Sequence, residues 1–171
     1  MPVWPFRRSR AATDAAQLVE AVQAASRRAV FFGPGRVPDT LQGRLEFLTL
    51  NAVVVLLRLR REPGAEPLAQ DFTDQLFRSL DSGLRESGVG DLSVPKKMRS
   101  LAGDFYGRVG AYGDALARAD TEALTAAIAR NIGPDFAGQL ARYAQSAAAQ
   151  QGEAPLENLF VVAGWPSPPE A

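Results

Sequence analysis

The 171-residue sequence contains no cysteine and no histidine. Without cysteine the chain has no thiol nucleophile, disulfide, thiolate zinc site or iron–sulfur ligand. Without histidine it lacks Ser-His-Asp chemistry and the side chain best suited to proton transfer near neutral pH. Asp91 and Asp104 are one candidate carboxylate pair, but nothing in the pattern brings them together. The sequence therefore predicts a protein that is not an enzyme, with no cofactor and no metal ion.

The sequence also lacks an excess of charge and a long apolar run. Its 19 Lys and Arg balance 19 Asp and Glu, which disfavours bulk nucleic-acid binding and predicts no DNA partner. The most apolar segment, residues 45–59, is interrupted by Glu46, Asn51 and Arg58 and is too short to span a bilayer. The first ten residues carry three Arg with no apolar stretch behind them, unlike a secretory signal. These features predict a soluble protein or one attached peripherally to a membrane.

Helical periodicity runs through most of the chain and predicts an all-α fold of about six helices. The predicted helices cover residues 14–28, 40–60, 68–87, 95–119 and 121–131, and a sixth begins at Pro134 and ends at the QQGEAP break. The second is apolar on all sides from Ala52 to Leu57, which is typical of a buried central helix. We expect a single compact helical domain over residues 13–165, a flexible N-terminus over 1–12 and a disordered tail over 166–171.

Several residues are predicted to begin or end these helices. Asp39 is an N-cap candidate for the second helix, with Gln42 at the capping-box position, and Asp120 for the fifth. Asp91 and Ser93 are both N-cap candidates for the fourth helix. A structural turn between the third and fourth helices is predicted from Gly88, Gly90, Asp91 and Pro95. Outside the long helices, a few apolar side chains are expected to dock on the core: Phe31, Phe32, Leu159, Phe160, Val161 and Trp165.

The fourth helix contains an unusual series of glycines. Gly103, Gly107 and Gly110 share one face, with Gly113 nearby, and each costs about 0.5–1 kcal/mol relative to alanine. Such a cost suggests that something approaches the helix backbone closely. Either a neighbouring helix of the same domain packs there, or the face forms a groove for a partner's helix.

Lys96, Lys97 and Arg99 lie in the first turns of the same helix, where cations oppose the helix dipole. Local helix stability therefore does not explain them. They form either a solvated charged face or a surface for an anionic partner, such as phospholipid headgroups, RNA phosphates or acidic protein loops.

The block from residue 84 to residue 116 resembles the ubiquinol–cytochrome c chaperone family. The resemblance rests on the turn Gly88–Asp91 followed by VPKKMR, FYGR and YGDAL, and more weakly on LEFLTLNAVVVLLRLRRE. It covers about residues 40–145. It implies an all-helical fold without catalysis, and binding of newly made cytochrome b or another subunit of the cytochrome bc complex. In mitochondria it adds a small partner protein and a position near the ribosomal tunnel exit.

The sequence thus predicts a non-enzymatic assembly chaperone that binds cytochrome b or its nascent chain. The alternative is a peripheral membrane- or ribosome-associated module that places a basic patch on anionic lipid or RNA. We expect a cytoplasmic location at the inner membrane in a bacterium, or the matrix side of a mitochondrion. The candidate partner-binding residues are Lys96, Lys97, Arg99, Gly103, Tyr106, Gly107, Arg108 and Gly110.

Overall fold

A computed structural model describes residues 8–169, and this part of the chain is built from six α-helices without a β-strand. They are α1 (Arg8–Ser26), α2 (Leu41–Arg60), α3 (Glu66–Glu86), α4 (Val94–Ala117), α5 (Thr121–Asn131) and α6 (Ala137–Glu153). Short 3-10 helices cover Ala29–Phe31, Leu156–Phe160 and Val162–Gly164. The predicted single all-α domain is confirmed. Residues 1–7 and 170–171, parts of the segments predicted to be flexible, lie outside the described residues.

The helix boundaries agree with the periodicity except near the ends. Helix α1 begins at Arg8, before the predicted Asp14, and α6 begins at Ala137 rather than at Pro134. Asp120 caps α5 as predicted, by accepting a hydrogen bond from the Ala123 amide. The predicted Asp39 cap of α2 is wrong: Thr40 Oγ1 accepts from the Gly43 amide at 3.1 Å.

Helix α2 lies at the centre of the fold. Its segment from Leu50 to Leu56 is buried on every side, while the apolar pattern predicts this from Ala52 to Leu57, and Leu57 is half-buried. Helices α1, α3, α4 and α6 contact it directly; α3 also packs on α1, and α5 packs on α4 and α6. Within the described residues, no helix is long and apolar enough to cross a membrane.

A chain of buried polar side chains joins α1, α2 and α6. The Tyr143 hydroxyl donates to Asn51 Oδ1 at 2.8 Å, and Asn51 Nδ2 donates to Ser26 Oγ at 2.9 Å. Arg28 Nη2 donates to the same tyrosine hydroxyl at 3.1 Å, and its Nη1 donates to the Pro166 carbonyl at 2.7 Å. Burial raises the pKa of Tyr143 well above its usual value. These hydrogen bonds therefore fix α1, α2 and α6 to one another and hold Pro166 against the bundle.

The segments outside the long helices dock mostly as predicted. Phe31, Leu159 and Trp165 are buried, and Phe32 and Phe160 pack against the core. Val161 is the exception, because it is exposed where it joins the two C-terminal 3-10 helices.

The fold predicts an alkaline loss of stability through Tyr112. Burial raises its pKa from 10.0 to about 12. Because the unfolded chain ionises first, stability is unaffected below the unfolded pKa and falls as pH rises through the folded pKa. That shift corresponds to about 3 kcal/mol. Urea unfolding at pH values between these two pKa values measures the free energy of unfolding of the wild type and of Tyr112→Phe. The free energy of unfolding of the variant should fall less as the pH rises. Identical declines would contradict the prediction.

Candidate partner-binding surface

The turn between α3 and α4 is built as the sequence predicts. Gly88 has φ +85°, the left-handed conformation that follows a helix C-terminus. Pro95 lies in the first turn of α4, and Ser93 is its N-cap residue without a side-chain cap bond. Asp91 does not cap α4, because its carboxylate pairs with Arg85 Nη1 at 2.9 Å. The turn thus has a structural role.

The basic cluster at the start of α4 is open to solvent. Lys96, Lys97 and Arg99 are all exposed, and among the described residues none of them forms an ion pair. They lie within two turns of the positive end of the helix dipole. Since no carboxylate of the described residues pairs with them, an anionic partner would be attracted here.

Three of the four glycines in α4 also face solvent. Gly103, Gly107 and Gly110 are exposed, and a Cβ placed on each would meet no atom within 4 Å. Only Gly113 is buried, where its Cβ would lie 3.9 Å from Val53 Cγ1. Packing inside the domain is therefore not the reason for the first three glycines. Their bare backbone is available for a close approach from outside.

Tyr106 adds an aromatic ring to this exposed face. It is 61% exposed, and its ring lies at 21° to that of Phe77, with centroids 6.4 Å apart. The neighbouring Phe105 is buried, as is Tyr112, so Tyr106 is the aromatic residue that α4 presents outward. We call the outward set the α4 surface: Lys96, Lys97, Arg99, Gly103, Tyr106, Gly107 and Gly110.

Arg108, a predicted partner residue, has an internal role instead. Its Nη2 and Nε donate to the two carboxylate oxygens of Glu46 at 2.7 and 3.1 Å. The Glu46 side chain is only 5% exposed and that of Arg108 18%, so this ion pair is largely shielded from water. Hydrogen bonding to Glu46 raises the pKa of Arg108. The pair holds α4 against α2 and leaves Arg108 outside the α4 surface.

A leucine-lined cleft lies at the bundle end that carries the α3–α4 turn. Its volume is about 220 Å³. We call it the leucine cleft, and its apolar lining comes from α2, α3 and α4: Leu41, Leu45, Leu48, Leu80, Leu84 and Leu101. Leu41 at its rim is 55% exposed. The cleft is an apolar surface that the fold leaves unfilled.

Most polar side chains around the leucine cleft are already partnered. Gln23 Nε2 donates to Ser79 Oγ at 2.7 Å, and Arg44 pairs with Asp39 at 2.6 Å. Ser26 belongs to the buried polar chain described above. Arg27 is exposed and has no ion-pair partner among residues 12–169. The cleft therefore offers apolar contact with one free cation nearby.

The sequence did not reveal the leucine cleft. Its leucines recur at the same helical spacing as the core residues, so periodicity assigns them all to the core. Over the described residues, no three carboxylates lie together in a way that could hold a metal ion.

Comparisons with known proteins agree with this description. The family model of the ubiquinol–cytochrome C chaperones matches residues 35–162, which include α2 through α6. The crystal structure of the Cbp3 homolog from Brucella abortus is similar, with a TM-score of 0.76 and 40% sequence identity. That likeness covers 96% of this chain and 93% of the other. No curated protein matches the chain.

The exposed glycines predict a gain in stability on substitution by alanine. Gly107→Ala should raise the free energy of unfolding by about 0.5–1 kcal/mol, because the new methyl group enters open space and favours the helix. Gly43→Ala is the matched control, since its Cβ would collide with the Pro38 carbonyl oxygen and cost about 1–3 kcal/mol. Urea denaturation measures both. Destabilisation by Gly107→Ala would show that something already covers this face.

The Glu46–Arg108 pair predicts a different outcome for Arg108 than for the exposed cations. Arg108→Gln strands a buried carboxylate and should lower the free energy of unfolding by about 3 kcal/mol. Lys97→Gln removes an exposed, unpaired charge and should change it by less than about 0.5 kcal/mol. Thermal and urea unfolding compare the two, and equal effects would rule out a structural role for Arg108.

Proposed function

We propose, since this chain belongs to the ubiquinol–cytochrome c chaperone family, that it binds cytochrome b or its nascent chain during assembly of the ubiquinol–cytochrome c reductase complex. The observation that carries the proposal is the family match, which spans every helix from α2 to α6. The protein would act by binding, without catalysis, at the cytoplasmic face of a bacterial inner membrane.

The leucine cleft supports a role with an apolar client. Cytochrome b is a membrane protein, so the apolar helices of its newly made chain must be shielded from water until they are assembled. A cleft of about 220 Å³ can accept the anchor side chains of such a helix but not a whole helix. Grooves that bind helices take residues at i, i+3 or i+4 spacing into apolar pockets. The leucines of the cleft provide apolar contacts of this kind.

The α4 surface supplies the remaining contacts in this proposal. Its glycines allow a client helix to lie close to the α4 backbone, and Tyr106 offers the kind of aromatic anchor that dominates many interfaces. Its three cations would attract carboxylates of a client or an approaching partner. A small partner protein or the ribosome, which the family resemblance adds, would meet the same surface.

Deletion of the gene tests the role, and two variants test the site. Deletion should deplete assembled reductase and its b-type haem spectrum while cytochrome oxidase persists. Leu101→Asp in the leucine cleft and Gly107→Leu on the α4 surface should each lower assembled reductase at least about fivefold, since each removes or blocks a central contact. Haem spectra of membranes and co-purification of cytochrome b are the measurements.

Matched control variants distinguish the loss of a contact with cytochrome b from the loss of the fold. Val161→Asp places a charge at an exposed apolar residue outside the cleft, and Ala126→Leu places a leucine at an exposed position on α5. Both should complement the deletion fully. Normal haem levels in the deletion strain would refute the assembly role. If haem levels fall in the deletion strain but Leu101→Asp and Gly107→Leu both complement it fully, the assembly role stands and the proposed binding site is refuted.

A further inference from the structure

Leu92 is the most exposed large apolar residue in the described chain, with 98% of its surface open to solvent. It lies at the third position of a hydrogen-bonded turn, in which the Ser93 amide donates to the Gly90 carbonyl at 2.8 Å. Polar residues and glycine are favoured at such positions, so turn chemistry does not explain a leucine. The turn holds the side chain away from the core.

The basic cluster follows this leucine directly. Lys96, Lys97 and Arg99 are exposed and unpaired within the described residues, and they begin four residues after Leu92. Two carboxylates near them pair with arginines instead, Asp91 with Arg85 and Asp104 with Arg108, although Arg85 also pairs with Asp81 and Arg108 with Glu46. Glu86 at the end of α3 is exposed and forms no ion pair with the cluster among the described residues. The tip of the turn is thus apolar and the helix start behind it is cationic.

We propose that the turn 88–93 and the start of α4 dock on an anionic lipid bilayer, with Leu92 inserted among the acyl chains and the three cations against the headgroups. An apolar tip followed by basic residues is complementary to such a surface, since its headgroups are anionic and its interior is apolar. RNA would match the cations but would leave the bare leucine without a contact. A single leucine gives a weak anchor, so the association is reversible.

This docking would also orient the leucine cleft. Leu84, in the last turn of α3, precedes the turn 88–93, and Leu101 of α4 follows it; both line the cleft. The cleft mouth would therefore lie beside the bilayer, where apolar segments emerge. The inference does not depend on the proposed function, because vesicle binding is measured without any component of the reductase complex.

Vesicle co-sedimentation of the full chain tests the proposal. The chain should bind phosphatidylcholine vesicles that contain about 30% phosphatidylglycerol, and its partitioning should fall at least about tenfold with phosphatidylcholine alone. The triple variant Lys96→Gln, Lys97→Gln, Arg99→Gln should lose a similar factor. Leu92→Asn, which suits the turn, should lose about fivefold. Val161→Asn, an equally polar change at another exposed apolar residue, should bind as the wild type does.

Insertion of the tip has its own readout. Leu92→Trp should give a blue shift of fluorescence on addition of anionic vesicles, beyond the response of Trp4 and Trp165 in the wild type. The proposal is overturned if neutral and anionic vesicles bind equally, if no vesicles bind, or if Leu92→Asn binds as tightly as the wild type. Binding to purified ribosomes that needs the cations but not Leu92, without vesicle binding, would replace the lipid with RNA.

Discussion

Two polar side chains on the buried helix α2 determine how the rest of the bundle is arranged. Glu46 and Asn51 lie five residues apart, on different sides of the helix, and are the buried polar side chains of α2. Neither can stay buried without partners. Arg108 of α4 satisfies the first, while Ser26 of α1 and Tyr143 of α6 satisfy the second. Apolar packing alone would allow these helices to slide along α2. The requirement to pair both groups fixes the position of three helices at once.

This arrangement explains why the outward face of α4 is bare. Arg108 holds α4 against α2, and the side chains that share its inward face, Phe105, Val109 and Tyr112, fill the core. The opposite face has no neighbour among the described residues. Its three exposed glycines are therefore not required for packing inside the domain, and its cations pair with no described carboxylate. The features of α4 that local helix rules leave unexplained therefore lie on the side that can meet another molecule.

The sequence predicted the helices, because they depend on local pattern, but it left open whether the glycines of α4 face a neighbouring helix or solvent. Six helices follow from the 3.6-residue spacing of apolar side chains, and the turn at Gly88 follows from left-handed backbone geometry. It could not predict the pairing of Glu46 with Arg108, which are 62 residues apart and carry no signal of contact. It could not separate Leu101 in the cleft from core leucines with the same spacing. The choice between Asp39 and Thr40 as a cap depends on side-chain geometry that sequence does not contain.

The glycines of α4 have a consequence for how the molecule opens locally. They make α4 the helix with the least intrinsic propensity of its own, and its solvent-facing backbone amides have little side-chain cover. The ion pair at Arg108 lies near the middle of this helix, between its basic start and its buried last turns. Opening events would therefore begin at the N-terminal half, next to the turn, and stop at Arg108. The half of α4 that carries the basic cluster would be its most easily deformed part, able to adjust its path while the core behind it remains closed.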